Sequence, residues 1–201
     1  MAPEPRAHVR RAARLWVVPG PTEIATHIEF LKDLYVSGST ALIALNDDSF
    51  LAHLEHDLGF DRGSTIRLGR RDDSYYEGID FWEVVTRART PEFNLTLMGA
   101  LLSASISWIG DQLNSENYFD DLLALGEVRA PILEFLRHLR NAVSHGNRWH
   151  FRNGEPRRPA SFGSFVLDAG LDGTDGVLFE FLSTGDVFQL MDDVAEHLRA
   201  L

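Results

Sequence analysis

An arginine, the amide that follows it and a histidine lie within six residues of the chain, at Arg140, Asn141 and His145. A histidine can take up and release protons near neutral pH, because its pKa lies close to that range. The planar guanidinium of an arginine matches the oxygens of a phosphate group and can stabilise negative charge on it. Together these residue types could transfer protons and stabilise charge at a phosphate group, and Ser144 is a further polar residue that can support them.

The surrounding secondary structure determines whether these residues can act together. An apolar stripe at helical spacing predicts a helix that ends close to His145; its members are Ile132, Leu133, Leu136, Leu139 and Val143. Gly146 follows, and glycine is the residue that most easily leaves a helix in the left-handed conformation. On an ideal helix Asn141 and His145 share a face, but Arg140 and His145 diverge by about 140°. One helix end does not easily close a pocket unless His145 has left the regular helix; twofold pairing of two subunits offers a remedy.

Residues 140–145, RNAVSH, resemble the R-x4-6-H signature of HEPN domains. The resemblance is close over the ten residues RNAVSHGNRW and looser, in helical order only, over about the last hundred. HEPN domains are all-helical, and many are metal-independent ribonucleases. The resemblance implies that His145 is the acid/base residue, that Arg140 stabilises the phosphate and that Asn141 is the polar residue after the arginine. It also implies a homodimer, an RNA substrate, a toxin or phage-defence role, and an antitoxin or other regulatory protein.

Charge is distributed unevenly along the chain. The net charge of −11 argues against a generally cationic nucleic-acid surface, since phosphate binding requires lysine and arginine. Residues 137–158 nevertheless contain six arginines and one acid. We interpret this segment as a local RNA-binding patch in which Arg137, Arg148 and Arg152 contact the substrate. The alternative is that these arginines pair with acids on neighbouring helices.

The same residues are also compatible with a second class of function. Arginine and histidine near a helix C-terminus, followed by glycine, are also ordinary helix-ending residues favoured by the helix dipole. The chain can therefore be a non-catalytic HEPN-like helical module that binds protein or RNA. An acidic surface around Arg140 would favour that module over the nuclease.

The length of 201 residues predicts one domain, with residues 1–20 a flexible or short helical N-terminal arm. We predict a mainly α fold, a HEPN-type helical bundle with a small β-hairpin inserted before the C-terminal helix. The hairpin is expected to pair residues 162–168 with 177–182, where apolar and polar residues alternate. The uncharged residues 95–110 predict a buried helix at the centre of the bundle, too short to span a membrane.

Three other segments carry local expectations. The Ser-Gly-Ser of residues 37–39 predicts an interruption of the first helix. Residues 79–85 fit either a strand or a short helix, and periodicity does not decide between them, although Trp82 is expected in the core. Residues 117–125 predict a further short helix.

Several chemistries are excluded or disfavoured. The chain has no cysteine, which excludes disulfides, thiolate metal sites and cysteine nucleophiles and fits a reducing cytoplasm. His53 and His56 are three apart but lack a clear third ligand, so we expect no metal and no cofactor. The sequence contains neither a glycine-rich phosphate loop nor a nucleophile elbow. Because the chain has no cysteine and its uncharged run is short, we expect a cytoplasmic protein that does not associate with membranes.

Overall fold

The computed structural model describes residues 19–69, 75–115, 130–152 and 154–201, without the side chains of residues 67–69 and 75–77. Most of the N-terminal arm and the short helix expected at residues 117–125 lie outside these ranges. Within them the chain is mainly helical, as predicted. The helices are α1 (Pro21–Leu45), α2 (Asp48–His56), α3 (Phe81–Ala88), α4 (Pro91–Ser115), α5 (Pro131–Ser144) and α6 (Thr184–Arg199).

Four of these helices enclose the main hydrophobic core. α1 packs against α4 and α6, and α5 packs against the same two helices. α6 buries an apolar stripe at helical spacing, and its members are Val187, Leu190, Met191, Val194 and Leu198. The N–H of Asp186 donates to the hydroxyl of Ser183, and the N–H of Ser183 donates to the carboxylate of Asp186. This reciprocal capping fixes where α6 begins.

The predicted interruption of the first helix is wrong, because α1 continues from Pro21 to Leu45. The hydroxyl of Ser39 donates to the carbonyl of Tyr35 at 2.9 Å, within the helix itself. Gly38 faces α4, where an added Cβ would lie 3.2 Å from the side chain of Leu101. The small residues at 37–39 therefore allow α4 to approach closely instead of ending the helix.

α4 is the one helix among the described ranges that is long and apolar enough, by length and composition, to cross a membrane. It packs against α1 and α5, which is compatible with a soluble protein. The expectation of a buried central helix holds for its C-terminal half, through Leu102, Ser105, Ile106, Ile109, Gly110 and Leu113. Leu95 in the N-terminal half is 58% exposed.

The described strands form two small antiparallel hairpins. β1 (Thr65–Gly69) pairs with β2 (Tyr75–Asp80). Residues 79–85 are both strand and helix, because β2 ends at Asp80 and the carboxylate of Asp80 accepts the N–H of Glu83 at 2.8 Å at the start of α3. Trp82 is buried as expected, in a small second cluster with Leu51, Leu54 and Val85.

The hairpin before α6 is confined to β3 (Ser161–Phe162) and β4 (Phe165–Val166). The predicted pairing with residues 177–182 is wrong, because those residues form turns with isolated bridges. Gly176 and Phe179 have φ of 76° and 79°, a conformation that an extended strand does not contain. The apolar residues of this segment still enter the core, but through turns.

Candidate functional site

The helix that carries the candidate residues ends one residue before His145. α5 ends at Ser144, and His145 follows with φ −102° and ψ 29°. Gly146 and Asn147 have φ of 81° and 65°, the left-handed region that glycine adopts at no steric cost and asparagine tolerates. His145 has therefore left the regular helix, which is the condition under which one helix end can close a pocket.

Contacts with a later part of the chain fix its direction after His145. The side-chain amide of Asn147 donates to the carbonyl of Leu178 at 3.2 Å, and its oxygen accepts the N–H of Leu178 at 2.7 Å. The N–H of Trp149 donates to the carbonyl of Thr174 at 2.9 Å, and the Trp149 side chain is buried. These hydrogen bonds attach the turn after His145 to residues 174–178.

A pocket of about 410 Å³ opens beside this helix end. It contains the three predicted catalytic residues and two of the predicted RNA-binding arginines. The residues that line it are Arg137, Arg140, Asn141, His145, His150, Arg152, Glu155 and Arg157. Four arginines against one carboxylate make the lining cationic, although the whole chain carries a net charge of −11. Asp111 and Glu134, which pair with Arg140 and Arg137, reduce this excess to four arginines against three carboxylates. The surface at this point is therefore weakly cationic, and it is not the acidic surface that would favour the interaction module.

Arg140 is oriented by a carboxylate on a different helix. Asp111 of α4 accepts hydrogen bonds from Arg140 Nε at 3.0 Å and from Nη2 at 2.5 Å through the same oxygen. Arg140 Nη1 donates to the side-chain oxygen of Asn141 at 3.3 Å. Both members of the ion pair are more than a third exposed, so the pair contributes at most about 1 kcal/mol to stability. Its main consequence is that the guanidinium group is held in one orientation.

Sequence reasoning did not find Asp111. The available signal was its place as the first charged residue after the uncharged run at residues 95–110. Gly110 beside it makes room for the arginine, because a Cβ at that position would lie 2.6 Å from Arg140 Cγ. A glycine inside a helix costs about 0.5–1 kcal/mol relative to alanine, so its presence there indicates a packing requirement. α4 and α5 therefore meet where the stem of Arg140 crosses Gly110.

His150 is the second residue that sequence reasoning missed. Its ring centroid lies 4.6 Å from that of His145, with an angle of 51° between the ring planes. Both side chains are exposed, and both line the pocket. The neighbours Trp149 and Phe151 are buried, so the alternation of apolar and polar residues already placed position 150 on the solvent side. The alternation did not indicate that the side chain of His150 would face the pocket.

Arg137 lines the pocket and pairs with two acids. Its Nη2 lies 2.7 Å from Glu134 Oε1 and 3.0 Å from Glu155 Oε1. Glu134 and His138 are buried, and His138 Nε2 lies 3.3 Å from the same Glu134 oxygen. Burial lowers the pKa of Arg137, but the hydrogen bond and charge of Glu134, with Glu155, outweigh it and raise that pKa. The alternative interpretation, pairing with nearby acids, therefore holds for Arg137 and, through Asp111 of α4, also for Arg140, alongside their places in the pocket.

The pairing of Glu155 with Arg137 makes the stability of the protein depend on pH in the acid range. Burial would raise the pKa of Glu155, but the N–H of Arg152 and the charge of Arg137 hold it below its ordinary value of 4.5. Such a carboxylate stabilises the fold above pH 4.5, and the contribution is lost as the pH falls through the folded-state pKa. We expect the free energy of unfolding, measured with urea, to fall less steeply below pH 4.5 in Glu155→Gln. Parallel pH profiles for the two proteins would contradict this assignment.

Two predicted residues lie outside the pocket lining. Ser144 is exposed in the last turn of α5. Arg148 is also exposed, and its Nε lies 3.8 Å from an oxygen of Asp175. The structure therefore brings Arg137 and Arg152, but not Arg148, to the same pocket as the catalytic candidates.

The described residues contain no group of three or more histidine, aspartate or glutamate side chains that could hold a metal ion. His53 Nδ1 instead lies 2.6 Å from a carboxylate oxygen of Asp57, one turn away on α2.

Comparisons of the chain with protein-family models, curated proteins and solved structures give no match. Function is therefore inferred from the residues themselves, which form a mainly α protein with a cationic pocket lined by arginine, amide and histidine side chains.

Proposed function

We propose that the protein is a metal-independent endoribonuclease of HEPN type with a toxin or phage-defence role. One observation carries the proposal: Arg140, Asn141 and His145 line a single cationic pocket. Such a pocket attracts a polyanion, and the acidic remainder of the chain disfavours nucleic-acid binding elsewhere. The pocket adds Arg137, His150, Arg152 and Arg157 to the three motif residues.

The reaction is transesterification at the ribose 2′-hydroxyl. The 2′-oxygen attacks the adjacent phosphorus, a new 2′-O–P bond forms, and the bond from phosphorus to the 5′-oxygen breaks. The products are a 2′,3′-cyclic phosphate and a 5′-hydroxyl, so neither an oxidant nor a reductant is needed. His145 carries out proton transfer in this reaction, and Arg140 stabilises the negative charge that grows on the non-bridging oxygens.

The hydrogen bonds of Arg140 define how it meets the phosphate. Asp111 holds the edge of the guanidinium formed by Nε and Nη2. The edge formed by Nη1 and Nη2 keeps N–H groups that can bind two phosphate oxygens. Asn141 accepts from Nη1 and so helps to hold the guanidinium plane. Arg152 and Arg157 add positive charge for the flanking phosphates.

Replacing His145 with alanine tests the proposal. We expect the unchanged protein to cut single-stranded RNA in the presence of EDTA and to leave a substrate with 2′-deoxyribose intact. His145→Ala is expected to reduce cleavage by about 10²–10⁴-fold with an unchanged helical circular-dichroism spectrum. The matched control is His53→Ala, since His53 is exposed on α2 and pairs with Asp57. Absence of cleavage by the unchanged protein, with or without EDTA, would leave the interaction module as the better function.

We also propose that the active protein is a homodimer under the control of an antitoxin or another regulatory protein. Sedimentation velocity measures the subunit number directly. If two subunits share one cleft, a mixture of inactive Arg140→Ala and inactive His145→Ala chains is expected to regain part of the activity. A monomeric mass together with no recovery would show that each subunit works alone.

A further inference from the structure

Transesterification of RNA requires two proton transfers on opposite sides of the phosphorus. One group takes the proton of the 2′-hydroxyl, and another gives a proton to the departing 5′-oxygen. The proposed function, on which this inference rests, assigns only His145 to these steps. A second group of suitable pKa is therefore needed within reach of the same phosphate.

His150 lies within reach of the same pocket in the same chain. The left-handed residues Gly146 and Asn147 reverse the backbone after His145, and His150 returns to the same pocket. The two ring centroids are 4.6 Å apart. A pocket of about 410 Å³ lies within the range of small-ligand sites, about 300–1,000 Å³, and therefore has room for a phosphate and parts of its sugars.

The segment that carries His150 is held firmly. Trp149 and Phe151 on either side are buried. The N–H of Trp149 donates to the carbonyl of Thr174 at 2.9 Å, and the N–H of Phe151 donates to a carboxylate oxygen of Asp172 at 2.9 Å. The backbone at position 150 is thus fixed while its side chain is exposed. An exposed imidazole can rotate rapidly, so the two rings can separate to admit a phosphate beside Arg140.

We infer that His150 is the second proton-transfer residue of this site. One of the two imidazoles, neutral, takes the proton of the 2′-hydroxyl as the 2′-O–P bond forms. The other, protonated, gives its proton to the 5′-oxygen as the P–O bond breaks. Their protonation states are exchanged at the end of the step, and proton exchange with water restores them. Arg140 carries no proton in this scheme and stabilises only the charge.

Substitutions at position 150 separate a chemical role from a packing role. His150→Phe keeps an aromatic ring against His145 but cannot transfer a proton. We expect His150→Phe and His150→Ala to lose about 10²–10⁴-fold in single-turnover cleavage rate, to a similar extent. Full activity of His150→Phe would overturn the inference, since His150 would then only support the ring of His145. His53→Ala is again the control for loss of an exposed histidine.

A modified RNA identifies the proton donor. A sulfur in place of the 5′-oxygen, at the bond that the unchanged protein cuts, leaves without needing a proton. We expect this substrate to restore the cleavage rate of one variant, either His145→Ala or His150→Ala, and not of the other. Restoration of both, or of neither, would overturn the division of the two transfers. If the unchanged protein cuts no RNA, the proposed function fails and this inference fails with it; cleavage by the unchanged protein with a fully active His150→Phe overturns the inference alone.

Discussion

Arg140→Ala is expected to lower single-turnover RNA cleavage by about 10²–10³-fold, the loss typical of removing one charge-stabilising donor from an active site. Arg140 is the catalytic candidate with N–H groups for the phosphate oxygens, and Asp111 and Asn141 already hold its guanidinium in one direction. The loss is expected in the rate of the chemical step, measured with enzyme in excess over a labelled RNA. Arg140→Lys keeps the charge but not the planar fork, so we expect it to recover only part of the activity.

The matched control is Arg87→Ala. Arg87 is an exposed arginine of α3 that lies outside the pocket lining and pairs loosely with Glu83 at 3.8 Å. We expect a change in cleavage of less than about threefold, since a surface substitution away from the site usually changes free energies by less than about 0.5 kcal/mol. Equal activity of Arg140→Ala and the unchanged protein would remove Arg140 from the mechanism.

Gly110→Ala displaces the side chain of Arg140 without replacing it. The added Cβ would lie 2.6 Å from Cγ and 2.9 Å from Cβ of Arg140, so α5 or the arginine stem must move. We expect the variant to lose activity and about 1–3 kcal/mol of stability, the usual cost of overpacking. Gly185→Ala in the first turn of α6 is the control, because the nearest atom to its added Cβ is 3.8 Å away.

Arg137→Ala is expected to destabilise the protein by about 3–5 kcal/mol, as when one partner of a buried ion pair is removed. Arg137 donates to Glu134 from both Nε and Nη2, and the Glu134 side chain is only 3% exposed. Without the guanidinium, a buried carboxylate loses its strongest donor. Urea denaturation measures the effect as a fall in the midpoint with an unchanged slope.

The double variant Arg137→Ala/Glu134→Gln separates the charge from the lost packing. Since it removes the buried charge together with its partner, we expect it to be more stable than Arg137→Ala alone. A loss of less than about 1 kcal/mol in Arg137→Ala, the range of an exposed pair, would contradict a stabilising role for the Arg137–Glu134 pair. In that case the buried Glu134 would be satisfied by its other contacts.

The helices were predictable because their signals are local. The apolar stripe of α5 depends on residues three or four apart, and the end of that helix just before Gly146 depends on one glycine; both are as expected. The errors arose where distant packing competes with a local signal. Gly38 was expected to interrupt α1, but it instead accommodates Leu101 of α4. Residues 177–182 alternate like a strand, yet positive φ at Phe179 turns the chain.

The sequence by itself determined the chemistry available at the end of α5, since Arg140, Asn141 and His145 are adjacent in the motif and Gly146 ends the helix there. Only the tertiary structure decided which groups join them. Asp111 is 29 residues from Arg140. His150 reaches the pocket after the chain reverses at Gly146 and Asn147, where the side chain of Asn147 accepts the N–H of Leu178. Hydrogen bonds and contacts across such separations depend on how helices pack, and no local periodicity encodes that packing.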